Sequence, residues 1–310
     1  PLSHGVFAID TGFTRDRFDA AFLLVQQGRA AFVDTGTAFA LPRLLGALAA
    51  LGLAPDAVDW VIPTHVHLDH AGGVGQLMQA LPRARALVHP RGVRHMVDPT
   101  VLWQGATAVY GADKMAATYG ELLPVPAARV LASADGMVVH LADRPLLFAD
   151  TPGHARHHHC LWDETSRGWF TGDTFGLSYR EFDTARGPWI MPTATPVQFE
   201  PEALQASVRR LLARAPERMY LTHYSRVGDV ARLGELMLGL LDELVALGRR
   251  VQQAGLANDA RHAALKAGQL DIFCTSLAAH GCPFTREHVA ELLAIDLELN
   301  AQGMAIWLDR

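Results

Sequence analysis

The sequence is short of cysteine, of basic runs and of long apolar stretches, and each shortage removes a class of protein. Three cysteines in 310 residues, Cys160, Cys274 and Cys282, form no CxxC pair. They read as the reduced thiols of a cytoplasmic protein, not as a disulfide framework. No run of Lys or Arg exceeds two, and 27 basic against 32 acidic residues leave a formal charge of −5. A dedicated nucleic-acid surface is therefore not expected. No uninterrupted apolar stretch reaches the roughly 18 residues of a membrane span. Nor do the first residues pair a charged segment with an apolar one as a signal peptide does, and Pro1 is read as following a removed segment. GxSxG elbows and persuasive Cys/His nucleophile pairs are also missing. What is left is a globular enzyme acting on a small molecule, with no nucleic acid and no membrane as partner. At roughly 150 residues per domain its length allows about two domains.

Short β-like runs give strands at Val6–Asp10, Ala21–Gln26, Ala30–Asp34, Val58–Pro63 and Ala84–His89, then at Met137–Leu141, Pro145–Ala149, His158–Trp162, Gly168–Thr171 and Arg218–Leu221. Gln27-Gly28-Arg29 joins the second and third as a hairpin. Helical spacing marks Leu41–Leu53 and Pro201–Ala213, while Arg91–Gly120 mixes helical pieces with Gly and Pro and is left unplaced. Strands and helices do not alternate regularly, so two sheets with helices outside fit better than one parallel sheet. From about Gly228 the strands stop. Leu233, Leu236, Leu240, Leu244 and Leu247 mark one helix face, and Thr285 is the expected N-cap of a helix running toward Leu299. The division expected is an α/β domain over 1–228 and a helical region over 229–310.

Chemistry is concentrated in Thr64-His65-Val66-His67-Leu68-Asp69-His70-Ala71-Gly72-Gly73. Side chains two apart in an extended segment point the same way, so His65 and His67 can reach one metal ion. Asp69 and His70 follow where the chain turns and can face a second. Imidazole suits zinc or iron, and a carboxylate adds a harder oxygen donor. His154, in Thr151-Pro152-Gly153-His154, Asp173, in Thr171-Gly172-Asp173-Thr174, and His223, in Leu221-Thr222-His223-Tyr224, each stand where a loop leaves a strand.

In this order the residues resemble the metallo-β-lactamase superfamily, in particular its glyoxalase II and lactonase-like branches. The likeness runs from about residue 5 to 228 and includes Phe32-Val33-Asp34-Thr35-Gly36. It implies an α/β (α+β) fold, an αβ/βα sandwich with an appended C-terminal helical region. It also implies a first metal on His65, His67 and His154, a second on Asp69, His70 and His223, and Asp173 bridging both. Asp34 would orient a ligand without binding metal. The cofactors expected are two divalent ions, zinc first, with iron or manganese also accepted by such donors. Their shared hydroxide would attack an ester or lactone carbonyl, with Asp69, Asp173 and Tyr179 as catalytic groups.

Inside the family, Asp173 and the lack of a cysteine ligand argue against antibiotic hydrolysis. Tyr179 resembles the tyrosine that assists the carbonyl oxygen or leaving group in lactonase-like members, with packing as its alternative. Arg180 could grip a substrate carboxylate or pair with Glu181 or Asp183. His158 is read as support, and Cys160 as a buried small apolar residue. Thioester hydrolysis of the glyoxalase II type is the alternative to an ester or lactone, and persulfide dioxygenation on a single iron is the further one. The apolar stripes beyond residue 229 are expected to wall the substrate pocket and to support a homodimer.

Overall fold

The computed structural model describes residues 1–310, the side chains of Val109 and Tyr110 excepted. Its first sheet is β1 (Val6–Asp10), β2 (Ala20–Gln26), β3 (Arg29–Val33), β4 (Val58–Ile62), β5 (Arg85–Val88) and β6 (Val130–Ala132), side by side in that order. β1, β2 and β3 are antiparallel, and β3 to β6 are parallel. The β2–β3 hairpin turns through Gln27 and Gly28, both at positive φ (47° and 74°). That is the turn whose twist matches the strands it joins. The second sheet is β7 (Val138–Leu141), β8 (Arg144–Asp150), β9 (His159–Asp163), β10 (Gly168–Gly172), β11 (Arg218–Leu221) and β12 (Ser225–Val227), again in chain order across the sheet. Two sheets, not one parallel sheet, is what the irregular alternation led us to expect.

Phe22, Val33 and Ile62 from the first sheet meet Leu146, Phe148 and Phe170 from the second in one buried core. On its other face the first sheet buries Leu23, Phe32 and Val61 against α1 (Leu41–Ala50) and α3 (Val74–Ala80), with the single turn α2 (Leu68–Ala71) before it. The stretch the sequence left unplaced holds three short helices, α4 (Val93–Val97), α5 (Thr100–Tyr110) and α6 (Ala112–Tyr119). Pro99 and Gly111 part them, and that punctuation is what broke the helical pattern.

Two compact units divide the chain. One holds Pro1–Asp150, His157–Gly172 and Glu217–Arg226, and so both sheets up to Arg226 of β12; the other holds Thr151–Arg156, Asp173–Pro216 and Val227–Arg310. The second unit contains α7 (Pro201–Leu212), α8 (Val230–Gln253), α9 (Asn258–His280), α10 (Arg286–Leu292) and α11 (Ala294–Leu308). α8 packs on α7 and α9, and α9 packs on α11. Of the expected leucine stripe, Leu233, Leu240, Leu244 and Leu247 lie on the buried face of α8, and Leu236 is half-buried. Thr285 caps α10, its hydroxyl accepting from the His288 amide at 3.3 Å. The helix expected to run on toward Leu299 is interrupted at Leu293 and restarts as α11. Among the described residues no helix is long and apolar enough to cross a membrane.

β8 and β9 are clamped by a buried ion pair. Arg144 Nε donates to Asp163 Oδ1 at 2.7 Å and Nη2 to Oδ2 at 2.5 Å, with the two residues 1% and 0% exposed. Removing one partner strands a charge in the core, so Asp163→Ala should cost about 3–5 kcal/mol, whereas Arg144→Met with Asp163→Leu should be close to neutral. Urea unfolding followed by circular dichroism checks both; equal losses in the two variants would contradict this reading.

Candidate metal centre

β4 delivers the chain through Pro63 into Thr64–His67, and α2 begins at Leu68, so Asp69 and His70 fall on its first turn. His65 and His70 are buried at 1% and 0% exposure. His65 Nε2 faces His67 Nδ1 at 2.9 Å, and the His65 and His70 ring centroids are 4.0 Å apart. His223 comes to the same place from the end of β11.

The orientation of these rings is set from behind. Asp34, 1% exposed and at φ 56°, ends β3. Its Oδ1 accepts from the Thr64 amide at 2.7 Å, and its Oδ2 from the Thr222 hydroxyl at 2.7 Å and from His70 Nδ1 at 2.8 Å. A buried carboxylate at that distance puts the His70 proton on Nδ1 and leaves the Nε2 lone pair facing forward. His223 Nδ1 likewise donates to the Phe18 carbonyl at 2.9 Å, which frees its Nε2. Those two Nε2 atoms lie 3.9 and 3.5 Å from Asp69 Oδ2. One ligand atom from each of Asp69, His70 and His223 lies within 4.8 Å of the others. Two imidazoles and one carboxylate, converging on one point, are a donor set that fits a divalent cation.

In the second unit His154 and Asp173 meet, Nε2 to Oδ2 at 3.3 Å, with the residues 0% and 4% exposed. The turn carrying His154 is pinned to α7. The Ser207 hydroxyl donates to the Pro152 carbonyl at 2.7 Å, and Gly153, at φ 134°, sits so close that a Cβ would fall 2.2 Å from the Leu204 amide nitrogen. Only glycine fits there. The structure thus groups His65, His67, Asp69, His70 and His223 within the first unit, and pairs His154 with Asp173 within the second.

Tyr179 is 1% exposed and its hydroxyl donates to Asp296 Oδ1 of α11 at 3.0 Å. That hydroxyl is bonded to a protein side chain, as a packing tyrosine's can be. Arg180 bonds the Ser178 carbonyl at 2.6 Å and lies 3.4 Å from Asp183, the local pairing named as its alternative. His158 is fully buried and stacks on His65 with centroids 4.7 Å apart, and Cys160 is buried.

Sequence reasoning missed Phe18 and Asp19. Phe18 acts through its backbone oxygen, which no side-chain motif can announce. Asp19 is fully buried beside the centre, its carboxyl pushed up to about 7 by burial, against the pull of His223 and His70. His159 ties β9 to the histidine segment: its amide donates to the Thr64 carbonyl at 2.9 Å, and its Nε2 faces the Pro63 carbonyl at 3.0 Å.

Two outcomes follow for this centre. Asp34→Ala should weaken metal binding about 10- to 100-fold, with Asp34→Asn between it and the parent, as read by metal titration of the apoprotein. Unchanged affinity in Asp34→Ala would contradict the orienting role. Burial also holds the His159 imidazole down at about 3. Since an unfolded histidine titrates near 6.5, this neutral ring adds stability above that pH, and the contribution is lost as pH falls from about 6.5 toward 3, with about 2 kcal/mol gone by pH 5. His159→Phe should therefore flatten the acid limb of the stability profile measured between pH 7 and 4.5; an unaltered limb would rule this out.

Comparison with known proteins identifies the chain's relatives. The sequence model of the metallo-beta-lactamase superfamily matches residues 6–223. The acyl-coenzyme A thioesterase MBLAC2 of Gallus gallus is 31% identical over 182 residues, 56% of this chain and 64% of that protein. The Homo sapiens protein of that name is 30% identical over 181 residues, with the same shares covered. The match therefore spans less than two thirds of these curated relatives. Among solved structures, the metallo-beta-lactamase family protein TTHA1429 from Thermus thermophilus superposes with a TM-score of 0.68 at 21% identity, over 98% of this chain and 93% of that one. That likeness is one of fold.

Proposed function

Since the chain belongs to the metallo-beta-lactamase superfamily, we propose that it is a metal-dependent hydrolase of acyl thioesters. The observation that carries the hydrolase reading is the convergence of Asp69, His70 and His223, with both imidazoles turned by Asp34 and the Phe18 carbonyl to offer Nε2. The choice of bond rests on the relatives: those named above carry the name acyl-coenzyme A thioesterase. They favour the thioester over the ester or lactone that the sequence alone puts first.

In this reading His65, His67 and His154 would hold one divalent ion and Asp69, His70 and His223 a second, with Asp173 available to either. Bound there, such ions supply Lewis acidity and lower the pKa of water enough to give hydroxide at neutral pH. The chain's residues do the rest. Asp34 and the Phe18 carbonyl keep the imidazoles in one tautomer, so no reorganisation is needed when substrate arrives. Asp69, with 24% of its side chain exposed against 6% for Asp173, is the acid placed to pass a proton from the attacking water to the departing sulfur. Water adds to the acyl carbon, the carbon–sulfur bond breaks, and a carboxylic acid and a thiol leave.

The test is metal analysis of the purified protein, followed by turnover on acyl-CoA thioesters, lactones and simple esters. Asp173→Ala should lower metal content and reduce thioester turnover by about 100-fold or more. Full metal content and turnover in that variant would refute the shared-ligand assignment. Lactonase activity with no thioesterase activity in the parent would overturn the choice of bond.

A further inference from the structure

Three residues of α11, Asp296, Asn300 and Gly303, stand four and three apart and so share one face of the helix. All three are buried. What that face holds is a strap of chain, residues 173–195, which starts at Asp173 and ends beside His154. The strap doubles back on itself. The Leu177 amide donates to the Met191 carbonyl and the Met191 amide to the Leu177 carbonyl, both at 2.9 Å, and the Ser178 hydroxyl donates to the Trp189 carbonyl at 2.6 Å.

α11 grips both limbs of the strap. On the outgoing limb the Tyr179 hydroxyl donates to Asp296 Oδ1 at 3.0 Å. On the returning limb the Ala194 amide donates to Asn300 Oδ1 at 2.6 Å, and Asn300 is fully buried. Gly303 lets that limb lie directly on the helix backbone: a Cβ there would fall 1.6 Å from the Ala194 carbonyl oxygen. The next residue, Thr195, brings its hydroxyl to 3.4 Å from His154 Nδ1. A helix that only covered this unit would carry apolar residues at 296 and 300, because burying a carboxyl or an amide costs free energy unless it is bonded. Here both are bonded to the strap.

We propose that Asn300, backed by Gly303 and Asp296, is a positioning residue for the metal centre. The inference rests on the ligand roles given to His154 and Asp173 above and adds what sets their orientation. The turn that carries His154 is placed by α7, through Ser207 and the close approach of Leu204 to Gly153. Rotation of the ring is a matter for groups that reach the ring itself. Asp173 Oδ2, at 3.3 Å from Nε2, and the Thr195 hydroxyl both do so, and they stand at the two ends of the strap that α11 holds. By fixing Ala194, Asn300 fixes Thr195 against the imidazole; by holding Tyr179, Asp296 anchors the limb that leaves Asp173.

The test uses the full chain and two readouts, neither of them turnover. Asn300→Leu removes the acceptor at nearly constant volume, and Asn300→Asp keeps it. Thr195→Val takes the hydroxyl from a half-buried position, so the protein should fold even where the α11 variants do not. In the isotope-labelled apoprotein, the ring signals of His154 are identified by nuclear magnetic resonance through their loss in His154→Gln. They should shift in Asn300→Leu and in Thr195→Val, and return toward the parent position in Asn300→Asp. In zinc titration of the apoproteins, the ion that His154→Gln fails to hold should bind about 10- to 100-fold more weakly in Asn300→Leu, the loss typical when a ligand's supporting partner is removed. His154 signals that stay in place in Asn300→Leu and Thr195→Val, with parental zinc affinity, would overturn the inference, while an ion lost in His154→Gln would leave the ligand assignment standing. Shifted signals in variants that hold zinc like the parent, as His154→Gln then also does, would keep the positioning of the ring and refute its role as a ligand. Equal damage in Asn300→Leu and Asn300→Asp, with Thr195→Val unchanged, would make Asn300 a packing residue and refute the proposal.

Discussion

The carboxylate of Asp34 is the interaction on which the rest of this structure depends. A buried carboxylate is tolerated only when its oxygens are fully occupied, and here the occupants come from the ends of two strands and from the α2 turn. Asp34 itself closes β3. Thr64, just past β4, gives both its amide and its hydroxyl, and Thr222, just past β11, gives its hydroxyl. His70 completes the set at 2.8 Å. Because β3 and β4 belong to one sheet and β11 to the other, satisfying this one group ties the ends of interior strands in both sheets to each other. The residues beside its partners, His65 and His223, are then in place for a metal without further adjustment. Folding and preorganisation of the centre are one event.

The same dependence explains what could be read from the residues. His65, His67, Asp69 and His70 were legible because metal chemistry restricts both residue type and spacing, and few other demands on a chain give that pattern. The hairpin at Gln27-Gly28 was legible because the turn is local. Asp34 was reachable only through the family likeness, since one aspartate after a strand has many explanations. The Phe18 carbonyl was out of reach altogether: every residue but proline offers the same backbone groups, so sequence does not encode which carbonyl will orient a histidine.

Among the helices the limit is of another kind. The buried face of α9 is Leu265, Gln269, Phe273, Leu277 and His280, a regular stripe in which two members are polar. Gln269 is there because its amide donates to the Leu297 carbonyl at 2.6 Å, a partner supplied by α11. An apolar-periodicity reading passes over such a stripe because the satisfaction of its polar members is decided elsewhere in the chain. Tyr179 teaches the same lesson. Its place six residues after Asp173 suggested a hydroxyl for substrate, but Asp296, 117 residues away in sequence, takes that hydroxyl. β6 and β12, at three residues each, are too short to show alternation at all.

What the metal ligands do not encode is the substrate. A carbonyl presented to a Lewis acid and a hydroxide is attacked in the same way whether the leaving atom is oxygen or sulfur, so the ligand set alone cannot separate esters, lactones and thioesters. Selectivity must come from groups that hold the part of the substrate that does not react.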